Sequence, residues 1–226
     1  MQNNFNFYYY KYDPDGSIRE SNLLYTPKSN QLHDKLCMHF CIDYDYRTNQ
    51  SKEITNELLN YFYRQELANL QNLQGSTYVP DLFDYNNEER KIIIEWNRYT
   101  LSDMMFSNSN FSLSIKYQDN IIQIVEDLLR QGYWKMALYP HCFFIDKFDK
   151  IKTIDFYSAV SFDNRFIQRS FIDSIIGKQG SYRFDLATKN GIIDLKKFFL
   201  LNIKKHLPKY WPERLVNKLN EVVNDY

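Results

Sequence analysis

Glycine is scarce in this chain, with six residues in 226, and alanine scarcer, with four. Cysteine is scarce too. Three cannot all pair internally, so a disulfide framework is excluded. No stretch approaches 18 consecutive apolar residues, which excludes a membrane-spanning helix. The start, Met1-Gln2-Asn3-Asn4, has no basic region leading into an apolar run and does not read as a secretory leader. With unpaired thiols, this predicts a reducing, cytoplasmic setting. Charge of one sign is missing as well. Twenty-eight basic residues balance 28 acidic ones, against the basic excess of nucleic-acid binders. There is no internal repeat and no low-complexity linker.

What is abundant is aromatic and amide. Aromatics make up 17% of the chain, with 19 Tyr and 17 Phe, beside 22 Asn. This bias suggests an AT-rich genome, for which a virus or phage is one fitting source. Tyr8, Tyr9, Tyr10 and Tyr12 cannot all point inward from one strand. One face of that strand is either a partner surface or ordinary packing. The length fits one large domain or two small lobes.

Residues 5–12 and 17–25 read as strands joined by Asp15-Gly16, a hairpin signal. A third strand is expected over 36–44. Apolar residues from Ile54 to Leu73 then recur at helical spacing, and Gly75 stops that helix, expected over 53–74. Strands follow at 78–85 and 91–96, a short helix at 101–106 and an amphipathic helix at 114–131. A loop with Pro140 leads to two short strands, 143–146 and 151–155. Helices are expected at 165–176, 192–206 and 212–224. Strands with one helix therefore precede a mostly helical half, an α+β, two-lobed pattern divided near residue 96.

Cys37, His39 and Cys41 alternate in an expected strand and share one face. Residues 37 and 41 would lie about 13 Å apart at roughly 3.3 Å per residue, too far for one metal to join both. Strand packing is the preferred reading. Cys142 follows His141, but neighbours on a strand point to opposite faces, which argues against a His–Cys nucleophile pair.

Residues 131–156 carry a more specific pattern: a helix end, Lys135-Met136-Ala137-Leu138-Tyr139-Pro140-His141-Cys142, a hydrophobic hairpin, then Ile154-Asp155-Phe156. This resembles the core of the protein-kinase-like phosphotransferases, including the aminoglycoside and choline kinase branch. There the loop reads His-x-Asp-Leu-x-Pro-x-Asn. Its Asp accepts the acceptor hydroxyl's proton, while its Asn and a later Asp hold metal on the nucleotide phosphates. By that resemblance the metal-binding Asp is Asp155, and ATP and magnesium are the implied cofactors. The proton acceptor's place falls on Ala137 and the Asn's on Cys142, so two of the three chemical groups are missing.

Upstream, residues 64–70 followed by Tyr78-Val79-Pro80 look like the family's C helix and next strand. The resemblance makes Glu66 the partner of the strand-three lysine; alternatively it is an exposed helix carboxylate. His39 stands at that lysine's place, with Lys35 out of register. Glu95-Trp96 looks like the hinge over the adenine. Asp185 resembles a residue that supports the catalytic loop. Lys135 and His141 flank the altered loop, as phosphate-binding or replacement groups or as plain loop residues. Asp155 is either a metal ligand or a turn residue. The first hairpin's Asp13-Pro14-Asp15-Gly16 would repel a triphosphate. The resulting expectation is a kinase-like protein impaired in phosphotransfer and acting through a protein partner, with no nucleic acid and no membrane. The alternatives are an atypical phosphotransferase using Asp155, and a viral structural protein.

Overall fold

The structure, a computed structural model, describes residues 9–12, 18–21, 24–25, 35–40, 56–97, 100–107, 112–161 and 189–226. It combines helices with small antiparallel sheets, an α+β arrangement. Strands β1 (Tyr9–Tyr12) and β2 (Ile18–Ser21) pair antiparallel, as the hairpin signal requires. The Asp15-Gly16 turn lies outside the described residues. A four-stranded sheet follows in the order β3 (Leu24–Tyr25), β4 (Lys35–His39), β6 (Lys91–Glu95), β5 (Leu82–Asn86). The run expected as one strand over 17–25 is thus two strands in different sheets.

Period-two patterning decides which sheet face is buried. Leu36 pairs with Ile94 and Met38 with Ile92, and all four are buried. Their neighbours on β6 face the other way and are half-buried. Helix α1 (Asn56–Asn72) meets this layer through Tyr63, whose ring lies edge-on to Phe40 at 5.9 Å. The chain leaves α1 through Gly75, at φ 87°, a left-handed turn that favours glycine. The strand expected from Tyr78 begins only at Leu82. Pro80 has no N–H to give a ladder. Tyr78 and Val79 are buried, and the Tyr78 carbonyl accepts from the Thr153 N–H at 2.9 Å.

Helix α2 (Leu101–Ser107) starts on a reciprocal cap: Thr100 donates N–H and hydroxyl to Asp103, at 2.8 and 2.7 Å. Helix α3 (Ile115–Arg130) buries Ile121, Ile124, Val125, Leu128 and Leu129. Helices α4 (Lys189–His206) and α5 (Glu213–Asp225) follow, and α5 packs against both α3 and α4. Its buried face is Leu215, Val216, Leu219 and Val223, one stripe at helical spacing. The helix expected at 165–176 and Asp185 lie outside the described residues.

Two strand pairs lie between α3 and α4. β8 (Phe143–Ile145) and β9 (Ile151–Thr153) form the expected hairpin. β7 (Tyr133–Lys135) pairs with β10 (Ala159–Ser161), a sheet that the sequence pattern did not reveal. No helix among the described residues is long and apolar enough to cross a membrane.

The α5 stripe supplies a stability test. Leu219 is fully buried, so Leu219→Ala is expected to cost about 2–5 kcal/mol in denaturant unfolding. Leu201 is 55% exposed on α4, and Leu201→Ala is expected to stay within about 0.5 kcal/mol of the parent.

Candidate functional site

The site forms where α1 crosses the turn that follows β9. One stripe of α1 carries Phe62, Glu66 and Asn69, spaced one helical turn apart. Phe62 packs on the Tyr157 ring, with centroids 5.3 Å apart. The Glu66 carboxylate accepts from the Tyr157 N–H. The Asn69 amide donates to the carbonyls of Phe156, at 2.8 Å, and Ala159, at 3.3 Å. The helix therefore holds the turn 155–159 by its backbone. The apolar run of α1 was legible in the sequence; of its two inward polar positions, Glu66 was marked only through the family resemblance and Asn69 was not marked.

Asp155 begins this turn with φ 65° and ψ 48°, a left-handed conformation that aspartate tolerates better than most residues. It is 3% exposed. Lys135, on β7, is buried beside it and donates to the Asp155 carbonyl at 3.2 Å. Its ammonium also lies 5.4 Å from the centre of the Phe156 ring, within cation–π range. The loop reading of Lys135 is corrected here: the residue belongs to a strand, and its long side chain runs inward.

Glu66 is fully buried, which overturns the reading as an exposed helix carboxylate. Burial first, then the charge of Asp155, push its pKa up to about 8, against the opposing pull of Lys135 and of backbone N–H groups. Its Oε1 has no hydrogen-bond partner among the described residues, which also favours the neutral acid over a bare carboxylate.

His141 and Cys142 sit in a single 3₁₀ turn, Pro140–Cys142, and not in a strand. The strand argument for opposite faces therefore fails, and both side chains converge on Asp155. One ligand atom each from His141, Cys142 and Asp155 lie within 4.8 Å of one another. The Cys142 thiol donates to Asp155 Oδ2 at 3.3 Å. Burial, then Asp155, raises the thiol's pKa well above its ordinary value. Burial lowers that of His141 to about 4, with Asp155 opposing. Tyr139 stacks on the His141 ring at 5.4 Å. From below, Trp211 donates to the Leu138 carbonyl at 2.6 Å and Asn202 to that of Met136 at 3.3 Å. Helix α4 and the connection that leads to α5 thus hold the loop.

The remaining sequence candidates lie apart from this cluster. Glu95 ends β6 and pairs with Lys152 of β9, which also reaches the Val79 carbonyl at 3.4 Å. His39 pairs through its backbone with Lys91, and its side chain lies outside what is described. The Lys35 ammonium is 4.9 Å from the centre of the Phe83 ring. Ala137 is half-buried against the core.

Magnesium fits these donors poorly. It takes oxygen ligands in octahedral geometry, and of the three converging groups only Asp155 supplies oxygen.

No protein-family model matches the chain, and no curated protein matches it to a significant degree. Among solved structures it is similar to the bifunctional kinase-methyltransferase WbdD, at 13% identity and TM-score 0.48, over 97% of this chain and 46% of that one. A higher-resolution WbdD structure gives 14% identity and 0.47, over 97% and 45%. WbdD with the kinase inhibitor LY294002 gives 14% and 0.44, over 92% and 46%. The chain thus spans less than half the length of these proteins.

The Glu66 shift has a stability consequence. The folded protein keeps this proton to about pH 8, while the unfolded chain releases it near 4.5, so stability falls as pH rises between the two. His141 acts in the opposite sense, but only between about 4 and 6.5. From pH 6.5 to 8 the Glu66 contribution stands clear, a loss of about 2 kcal/mol at 1.36 kcal/mol per pH unit. Urea melts at both pH values are expected to show this loss in the parent and little of it in Glu66→Gln.

Proposed function

We propose that the chain is a two-lobed, kinase-like fold that has lost phosphotransfer and acts by binding a protein partner. On this reading residues 1–96 form the small lobe, with the sheet and α1. Residues 97–226 form a reduced helical lobe.

The support begins with convergence. Glu66, the loop 135–142 and Asp155 are far apart in sequence, and the fold brings them to one cluster. That is the meeting which the resemblance implies for a helix glutamate, a catalytic loop and a metal-binding aspartate. The observation that carries the loss of activity is how this cluster spends its polar groups. Glu66 binds the Tyr157 backbone, Lys135 binds the Asp155 backbone, and the Asp155 carboxylate receives the Cys142 thiol. At the proton acceptor's place stands the methyl group of Ala137. A transferase needs a base within hydrogen-bond reach of the acceptor and a metal on the phosphates. Here the groups face inward, onto the chain's own backbone and, for Cys142 and Asp155, onto each other.

Support for a partner comes from the surface. Strand β5 lies at the edge of the four-stranded sheet, and its Phe83 and Tyr85 are 47% and 45% exposed. Exposed aromatics on a strand edge suit a protein interface more than a solvated one.

A thermal melt with and without saturating ATP and Mg²⁺ tests the proposal. A ligand at about 100 times its dissociation constant adds about 2.7 kcal/mol, which for this size shifts the melting point by roughly 5–10 °C. The expected result is no shift. A magnesium-dependent shift that disappears in Asp155→Ala, together with transfer of phosphate from ATP, would overturn it.

A further inference from the structure

We propose that His141, Cys142 and Asp155 form a zinc site, closed by an imidazole nitrogen, a thiolate sulfur and a carboxylate oxygen. The inference stands on these donors and does not need the kinase-like reading. The nucleotide melt and the metal titration can therefore fail separately.

The donor set is the first argument. Zinc takes Cys, His and Asp ligands together, and three protein ligands with one open position make a recurrent arrangement. A thiolate discriminates against magnesium and calcium, which prefer oxygen. The position that would carry an amide oxygen in a magnesium-using kinase thus carries sulfur here, and the residue before it carries nitrogen.

Geometry is the second. A tetrahedral zinc at its usual bond lengths sets sulfur and oxygen about 3.5 Å apart. Cys142 Sγ and Asp155 Oδ2 are already 3.3 Å apart. All three donor atoms fall within 4.8 Å, so closing the imidazole onto the same point takes a shift on the order of 1 Å. The frame is held on both sides. The Cys142 carbonyl accepts from the Ile154 N–H at 2.9 Å and from the Thr153 hydroxyl at 3.0 Å, fixing the turn to β9. The Tyr139 ring backs the imidazole.

Charge is the third. Cys142 is fully buried and Asp155 nearly so, where an uncompensated ion is costly. Loading zinc onto neutral His141, ionised Asp155 and the Cys142 thiol forms the Zn–S bond and releases the thiol proton to solvent. Two positive charges then meet one thiolate and one carboxylate, so the metal is balanced by its own ligands, while the Lys135 ammonium stays on the Asp155 carbonyl. Magnesium, which would leave the thiol protonated, would bury a net positive charge instead.

Cobalt(II) substitution of chelator-stripped full-length protein tests the site, because cobalt reports sulfur ligation by a near-ultraviolet charge-transfer band. The expected result is one equivalent per chain, a tetrahedral visible spectrum and displacement by zinc but not by magnesium. Cys142→Ser is expected to remove the charge-transfer band. His141→Gln and Asp155→Asn are expected to weaken metal binding by more than the roughly 10–100-fold that outer-sphere changes cost. A band that persists in Cys142→Ser would assign the metal to Cys37 or Cys41 and overturn the proposal. X-ray absorption on the unsubstituted protein keeps the test open if a variant does not fold. One sulfur with nitrogen and oxygen neighbours supports the site, and a shell without sulfur, or no bound metal, overturns it.

Discussion

Two carboxyl groups and one ammonium share a buried space under α1, and much of the central architecture follows from keeping them there. Glu66, Asp155 and Lys135 are all buried. Charges in such a place are tolerated only when paired or neutralised. Lys135 is held on the Asp155 carbonyl and over the Phe156 ring, so its position is tied to the turn that carries Asp155. Glu66 keeps its proton past neutrality first because burial penalises the carboxylate, and then because Asp155 lies beside it. Helix α1, strand β7, the 3₁₀ turn and the segment after β9 therefore meet at one point, supplying Glu66, Lys135, His141 with Cys142, and Asp155. Moving β7 away from the turn would take Lys135 off the Asp155 carbonyl.

The bonding of this cluster runs inward, onto the chain's own backbone and side chains. In this chain the helix carboxylate holds a backbone N–H and the turn carboxylate accepts a thiol. The lysine holds a backbone carbonyl. The cluster serves as the keystone between α1 and the turn 155–159. The edge strand with Phe83 and Tyr85 is left to face outward.

The parts of this fold legible in the sequence are those written in short-range pattern. The periods of α1, α3 and α5, the β8–β9 hairpin and the β1–β2 hairpin follow from apolar spacing and turn residues. Strands β7 and β10 escaped because no turn residue joins them as one joins β8 to β9, and their pairing links positions 24 to 28 residues apart. The inward course of Lys135 escaped for a related reason. Nothing local marks a lysine as buried; its partner Asp155 lies 20 positions on. Asn69 and the carbonyls it binds are 87 and 90 positions apart. The convergence of His141 and Cys142 was hidden by an assumption about backbone. In a strand they would diverge, and the 3₁₀ turn begun by Pro140 lets both reach Asp155.

The state of Glu66 reports on the whole arrangement, because it registers burial, Asp155 and Lys135 together. Carbon-13 NMR titration of its side-chain carboxyl reads that state directly. The account predicts a pKa near 8, moving down in Asp155→Asn and up in Lys135→Met. A titration in the ordinary glutamate range, unmoved by either substitution, would mean a hydrated cleft in which these groups do not meet, and would contradict it.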